Sequence, residues 1–255
     1  MVQRTVVAGI RRRIFRASVQ REIRRGTLSR REGHRSLGGY GVSMHYPDEE
    51  IWLHQISDIF CNDCYGVGRL SDDSTVVDVG ANIGAFTLFV KWMWPNSNII
   101  AVEPECTNLK YLRENLAHCT NLTIFEKAVS TSEGTTKLNG KRSDAMRTGA
   151  DNGVSVGTVP LSSLLTGVVQ LLKIDAEGAE LDILRSAGKG LRLVERVVIE
   201  YHRYRNNPTM ISSLIEVLET QGFNRFRITD EKEFQPKRAD GLCYCCLLTG
   251  EHRKL

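Results

Sequence analysis

Long apolar runs are missing from this chain. Across its 255 residues no stretch reaches the ~18 apolar positions of a membrane-spanning helix, because Asp78, Lys91 and Lys173 interrupt the most hydrophobic segments. The chain is therefore not expected to cross a membrane. No apolar secretory leader is read either, and the seven cysteines are odd in number and scattered, a poor disulfide framework. A reducing compartment is expected, the cytoplasm first and the mitochondrion as the alternative. The sequence also lacks an internal repeat and any sign of a second core. What remains, 41% hydrophobic and 25% charged residues, is the balance of a folded globular protein and excludes disorder and fibres.

Lysine is absent from residues 1–38, which hold 11 Arg against only Glu22 and Glu32, a local net charge of +9. The overall +4 therefore conceals a slightly acidic body. An Arg-rich, acid-poor start reads as a mitochondrial presequence, a nucleic-acid arm or a solvated helix.

From Thr75 onward short β-branched runs alternate with amphipathic stretches, the pattern of βαβ units and a parallel sheet. Strands are expected at Val76–Gly80, Ile99–Glu103, Leu122–Ala128, Val169–Asp175, Val197–Tyr201, Phe223–Thr229 and Leu242–Leu248. Between them, Ala85–Trp94 reads as a helix stopped by Pro95. A second helix spans Glu105–His118, with Leu109, Leu112 and Leu116 on one face. A short helix starts at Leu161 and a compact one spans Glu180–Ala187. The last begins near Pro208, carries Ile211, Leu214, Ile215 and Leu218 on its core face, and is capped by Gly222. Residues 130–158 are polar and Gly-rich without apolar periodicity, and read as a long loop that is functional or mobile.

The chemistry concentrates at strand ends. Asp78-Val-Gly80-Ala-Asn82-Ile-Gly84 lies where the first strand passes into the first helix, a place where backbone N–H groups can meet a ligand. The glycines fall as G-x-N-x-G, not as the G-x-G-x-x-G of a dinucleotide site, so NAD is disfavoured. An acid just before the first Gly suits a cationic ligand portion, which points to the amino acid part and sulfonium of S-adenosylmethionine. Glu103, nineteen residues past Gly84, ends the second strand, where a carboxylate can accept both ribose hydroxyls. The bland alternative is a tight turn at the glycines and a helix cap at Glu103.

Lys173-Ile-Asp175-Ala-Glu177-Gly178-Ala-Glu180 ends the fourth strand and Glu200-Tyr-His202 the fifth. Carboxyl ends of strands form the ligand crevice of such sheets, which puts Asp175, Glu177 and His202 at its edge. A histidine titrating near neutrality there can take a hydroxyl proton. Helix capping by Glu177 and Glu180, with Lys173 neutralising Asp175, is the structural alternative. Asp175, Glu200 and His202 could together hold a divalent ion. Cys61 and Cys64 with Cys243, Cys245 and Cys246 make a weak zinc candidate, because no second C-x-x-C or spaced His supports them.

The segments VVDVGANIGAFTL, IAVEPE, LLKIDAEGAELDIL and VVIEYH, in this order over about residues 72–202, resemble the motifs of FkbM-type S-adenosylmethionine-dependent methyltransferases. The resemblance implies an α/β, Rossmann-like class I methyltransferase fold: a seven-stranded, mostly parallel sheet, helices on both faces and an antiparallel last strand. It implies S-adenosylmethionine lined by Asp78, Gly80, Ala81, Asn82, Gly84, Glu103 and Pro104, with Asp175, Glu177 and His202 facing the acceptor. Residues 71–255 would form the methyltransferase domain, and 1–70 a basic helical segment and acceptor-side cap. The expected reaction is O-methylation of a small molecule, sugar or natural product, and the alternative is N-methylation of a peptide or amine. RNA modification or binding is disfavoured: the fourth strand ends in IDAEG, without the Asn/Asp-Pro-Pro-aromatic motif, and the body lacks a basic, aromatic-interleaved face.

Overall fold

The computed structural model describes residues 33–37, 42–47, 49–139, 147–148, 153–205, 209–234 and 242–252. Packing divides the chain into two compact units. One holds the described residues up to Asp73 with Ala81–Asn98 and Cys106–Leu122; the other holds Ser74–Gly80, Ile99–Glu105 and the chain from Thr123. Residues 1–32, on which the helical reading of the Arg-rich arm rests, lie outside the described residues, as does Pro208.

In the first unit, β1 (Gly33–Leu37) and β2 (Val42–Tyr46) pair antiparallel as a hairpin. Helices α1 (Glu49–Gln55), α2 (Ala85–Met93) and α3 (Cys106–Leu116) follow along the chain. Aromatic rings supply much of the core: Phe60 lies 4.9 Å from Phe89 between centroids, Tyr65 meets Phe86 edge-on at 5.2 Å, and Trp52 is buried beside Tyr46. Such tilted and edge-on pairs add to the value of their buried area. Leu109, Leu112 and Leu116 are all buried, as their spacing on α3 predicts.

The second unit is built on a seven-stranded sheet. Its strands are β3 (Thr75–Val79), β4 (Asn98–Val102), β5 (Leu122–Phe125), β10 (Leu171–Asp175), β11 (Arg196–Tyr204), β12 (Arg225–Glu233) and β13 (Leu242–Glu251), in the spatial order β12-β13-β11-β10-β3-β4-β5. β10 pairs parallel with both β3 and β11, and β13 runs antiparallel to β11 and β12. This is the class I methyltransferase sheet, with its reversed last strand. Val76, Val77, Val79, Leu171, Leu172 and Ile174 are fully or nearly buried, which is why these strands read as unbroken apolar runs. Helices α4 (Glu180–Ala187) and α5 (Ile211–Thr220) set Ile183, Leu184, Leu214 and Leu218 into the same core. Gly222, at φ +100°, follows α5 in the left-handed conformation expected of a cap residue.

Two expectations are corrected. Leu122–Ala128 is not one strand: the chain leaves the main sheet after Phe125, and Ala128–Ser130 (β6) begins a second sheet. The polar segment 130–158 is not a bare loop, since β7 (Gly134–Asn139), β8 (Arg147–Thr148) and β9 (Val154–Pro160) join β6 in the order β6-β9-β7-β8. In β6, β7 and β9 the buried described side chains are Ala128, Val129, Leu138, Thr158 and Val159, too scattered to make an apolar alternation that can be read.

Candidate active site

The site grows from the carboxyl ends of β3, β10 and β11 and the bends that follow them. Leaving β3, Gly80 turns at φ +74°, and a Cβ there would sit 1.8 Å from the Asp175 carbonyl oxygen. Glycine is thus demanded by the close approach of two strand ends. Lys173, buried on β10, spans the same gap: its Nζ donates to the Gly80 carbonyl at 2.7 Å and lies 3.2 Å from Asp78 Oδ1 and 3.5 Å from Asp175 Oδ2. Asp78 is fully buried, and its carboxylate addresses this lysine. Burial alone would lower the Lys173 pKa, but Asp78, then Asp175 and Glu200, raise it, so the ammonium keeps its charge.

Glu103 follows β4. Its Oε1 accepts the Glu105 amide at 3.0 Å and its own amide donates to Phe125 at 3.0 Å, so the buried carboxylate has a set orientation, with Pro104 next in the chain. In the first unit, the run Ala81–Gly84 forms a turn with Asn82 at φ +52° and Gly84 at φ +87°. Asn82 Oδ1 accepts the Ile83 amide and the Gln55 side chain, and the Gly84 amide donates to Ala81. Asn115 of α3 donates to Ile83 and pairs with the His45 backbone, securing the turn from outside. A Cβ on Gly84 would press on Leu116 at 3.2 Å, so this glycine too answers to internal packing.

Asp175, Glu177 and His202, the residues expected to face the acceptor, are brought together. Asp175 and Glu200 are direct cross-strand partners, and His202 follows Glu200 on the same face. The His202 ring is buried: Nδ1 meets Glu180 Oε1 at 3.0 Å, while Nε2 looks toward Glu200 Oε1 at 3.8 Å and Glu177 Oε1 at 4.0 Å. Glu180 Oε1 also accepts the Gly178 amide, so one carboxylate both shapes the bend and orients the imidazole. Glu177 sits in the left-handed region at φ +50°, a costly conformation for a side-chain-bearing residue, and its Oε2 accepts the Tyr204 hydroxyl. Asp175, Glu200 and His202 place ligand atoms within 4.8 Å of one another; no cysteine joins this group among the described residues.

Titration follows from this crowding. Burial, with Asp175 and Glu200 adding to it, pushes the Glu177 carboxyl up to about 7 against the opposing pull of His202 and Tyr204. Burial and Glu200 likewise raise Asp175. Burial would lower His202, but Glu177, Glu180 and Glu200 outweigh it and hold the imidazole protonated well above its ordinary 6.5. The group poised to change charge near neutrality is therefore Glu177. Sequence reasoning missed Tyr204 and Asn115, and it did not foresee the pairing of Glu180 with His202; nothing in their local pattern marks the long-range contacts they make.

The pattern of the family described as the Methyltransferase FkbM domain matches residues 78–225, more than half of the chain. The chain belongs to the FkbM methyltransferase family. Among the relatives of this FkbM chain is Methyltransferase 1 of Beauveria bassiana, 30% identical over 207 residues, covering 69% of this chain and 81% of the relative. Methyltransferase sdnD of Sordaria araneosa is 29% identical over 223 residues, covering 70% and 84%. Hexuronic acid methyltransferase AglP of Haloferax volcanii is 27% identical over 146 residues, covering 51% and 57%. The FkbM chain is accordingly an S-adenosylmethionine-dependent methyltransferase. Donor chemistry of the kind that cofactor needs is present: Glu103 is an oriented, buried carboxylate at the end of β4, the strand next to β3 in the sheet order. Among the described residues, no helix is long and apolar enough to cross a membrane.

Proposed function

We propose that this enzyme methylates a hydroxyl of a small molecule, a sugar or glycoside being the favoured class. The observation that carries the reading is the Glu177 carboxyl, pushed up to about 7 in a half-buried cluster at the crevice edge, where a proton acceptor is needed. S-adenosylmethionine, when bound, supplies a methyl group made electrophilic by its sulfonium. Gly80, Ala81, Asn82, Gly84, Glu103 and Pro104 are assigned to hold it, while Asp78, buried against Lys173, serves by fixing the strand end that leads into them. On the acceptor side, Glu177 takes the hydroxyl proton, His202 holds the ionised carboxylate by its charge, and Asp175 orients the acceptor through a hydrogen bond. The name of the Haloferax relative, which acts on a hexuronic acid, supports a sugar acceptor. Transfer to an amine of a small molecule or peptide is the second reading, favoured by the four carboxylates Asp175, Glu177, Glu180 and Glu200 that would attract a cationic acceptor.

The deciding experiment is release of S-adenosylhomocysteine in the presence of neutral sugars, glycosides and hydroxylated metabolites on one side, amines and peptides on the other. Turnover confined to the amines would overturn the hydroxyl reading. With a working acceptor, kcat is expected to rise with pH around a midpoint near 7, as Glu177 ionises. Glu177→Gln should lower kcat ~10²- to 10⁴-fold and abolish that rise while leaving cofactor affinity unchanged. Glu103→Ala should weaken cofactor binding by about 1–3 kcal/mol in a protein that still folds, read by calorimetry with S-adenosylhomocysteine.

A further inference from the structure

We propose that Asp175, Glu200 and His202 bind one divalent transition-metal cation, with Glu180 fixing the imidazole behind it. The first observation is a conflict of charge. Asp175 and Glu200 face each other as cross-strand partners on β10 and β11, an arrangement that destabilises a sheet when both are carboxylates. Lys173 lies against Asp78, Asp175 and the Gly80 carbonyl, and the His202 ring faces Glu200 at 3.8 Å. A cation between the two carboxylates turns the repulsion into coordination.

The second observation is independent of the acids. His202 is more than nine-tenths buried, and its Nε2 is directed into the cluster without reaching hydrogen-bond distance of an acceptor: Glu200 Oε1 stands at 3.8 Å and Glu177 Oε1 at 4.0 Å. A bound cation would take the place of the Nε2 proton, and a ring nitrogen held at that separation from a carboxylate oxygen leaves the spacing of two donors on a common central atom. Donors bound at ~2.1 Å to one ion lie about 3–4.2 Å apart, and the three ligand atoms here fall within 4.8 Å. Behind the ring, Nδ1 is tied to the buried Glu180, the carboxylate–histidine pairing that orients metal-bound imidazoles.

One imidazole with two carboxylates suits Mn²⁺, Fe²⁺ or Zn²⁺ better than Mg²⁺ or Ca²⁺, which prefer all-oxygen shells. Three protein ligands leave coordination positions open, and an acceptor oxygen could occupy one beside Glu177. That use of the cation rests on the proposed hydroxyl methylation; the site itself rests on the side-chain geometry alone.

The test uses the full chain, stripped with a chelator and titrated with Mn²⁺ while the free ion is followed by electron paramagnetic resonance. One Mn²⁺ per chain is expected. Glu200→Gln and His202→Gln should each weaken binding more than 10-fold. Glu180→Gln, which reaches the site through the imidazole and the Gly178 amide, should weaken it about 10-fold. Circular dichroism melts establish that each variant folds, and calorimetry with S-adenosylhomocysteine should show the cofactor site unchanged. Failure of the folded wild-type chain to take up stoichiometric Mn²⁺ or Zn²⁺, or equal Mn²⁺ affinity in wild type and the folded Glu200→Gln variant, overturns the site. Stoichiometric, ligand-dependent Mn²⁺ binding in an enzyme that methylates only amines upholds the site and removes the hydroxyl acceptor.

Discussion

Lys91 and Lys173 are both buried, yet their surroundings neutralise them by opposite means. Lys91, on α2 of the first unit, aims its ammonium at backbone carbonyls: Ser97 and Thr120 at 2.5 Å, Asn121 at 3.3 Å and Pro95 at 3.5 Å. Burial lowers its pKa. Lys173, on β10 of the second unit, meets carboxylates, and they raise its pKa against the effect of burial. Carbonyl dipoles can anchor a cation and clamp the residues around it without leaving any proton in question. Carboxylates do more: by crowding acids around one lysine and one histidine, the strand ends of the second unit create groups that change charge near neutrality, which chemistry can use.

The largest effect separating the two regions is expected from Lys173→Met. It strands Asp78 in the core without its counter-charge, and a loss of about 3–5 kcal/mol in urea unfolding is expected. Adding Asp78→Asn should recover most of that loss, since the uncompensated charge is gone. Lys91→Met should cost less, about 1–3 kcal/mol, because it unmakes hydrogen bonds to carbonyls that carry no net charge. Equal losses for the two lysines would break the comparison.

A smaller effect is the pH dependence of stability in metal-free protein. Folding raises the Glu177 carboxyl from 4.5 to about 7, so the cost of ionising it inside the fold builds up between those values. Folding also raises His202 above 6.5, so its stabilising share is complete below pH 6.5 and is lost as pH climbs through the higher folded value. Both groups act in one direction. The melting temperature should fall as pH rises from 4.5 through 7 and above, and a Glu177→Gln, His202→Gln double variant should flatten the slope. An unchanged slope in that variant would place the titrating groups elsewhere.

Much of the frame was legible because burial leaves a mark on composition. β3, β10 and β11 are covered on both faces, so Val76–Val79, Leu171–Ile174 and Val197–Ile199 stand out as apolar runs, and the sheet order followed from the family resemblance. The second sheet was invisible for the converse reason: Thr135, Lys137 and Ser155 are exposed, and ladder hydrogen bonds leave no trace in side-chain type. In the site, Asp175, Glu177 and His202 were readable as polar residues at strand ends. Their partners were not, because the pairing of Glu180 with His202, and of Tyr204 with Glu177, depends on the left-handed bend at Glu177 and Gly178. That bend also reverses the expected charge of His202, a result of Glu177 and Glu180 from the bend and Glu200 from β11 converging on one ring.

The pairing of β3 with β10 has a consequence for how the chain acquires its shape. Leu171 lies opposite Val76, and the Gln170 side chain accepts the Thr75 amide, so β3 finds its neighbour some ninety-five residues downstream, beyond the whole of the second sheet. During synthesis β3 must therefore wait, apolar and half-partnered, until β10 has emerged. Contacts this distant in sequence slow folding, since a large loop has to close before the pairing rewards it. Assembly of the active-site end is thus among the last events of folding, because the Gly80 turn, the Lys173 bridge and the Asp175–Glu200 pair all come into being only when β10 slots between β3 and β11.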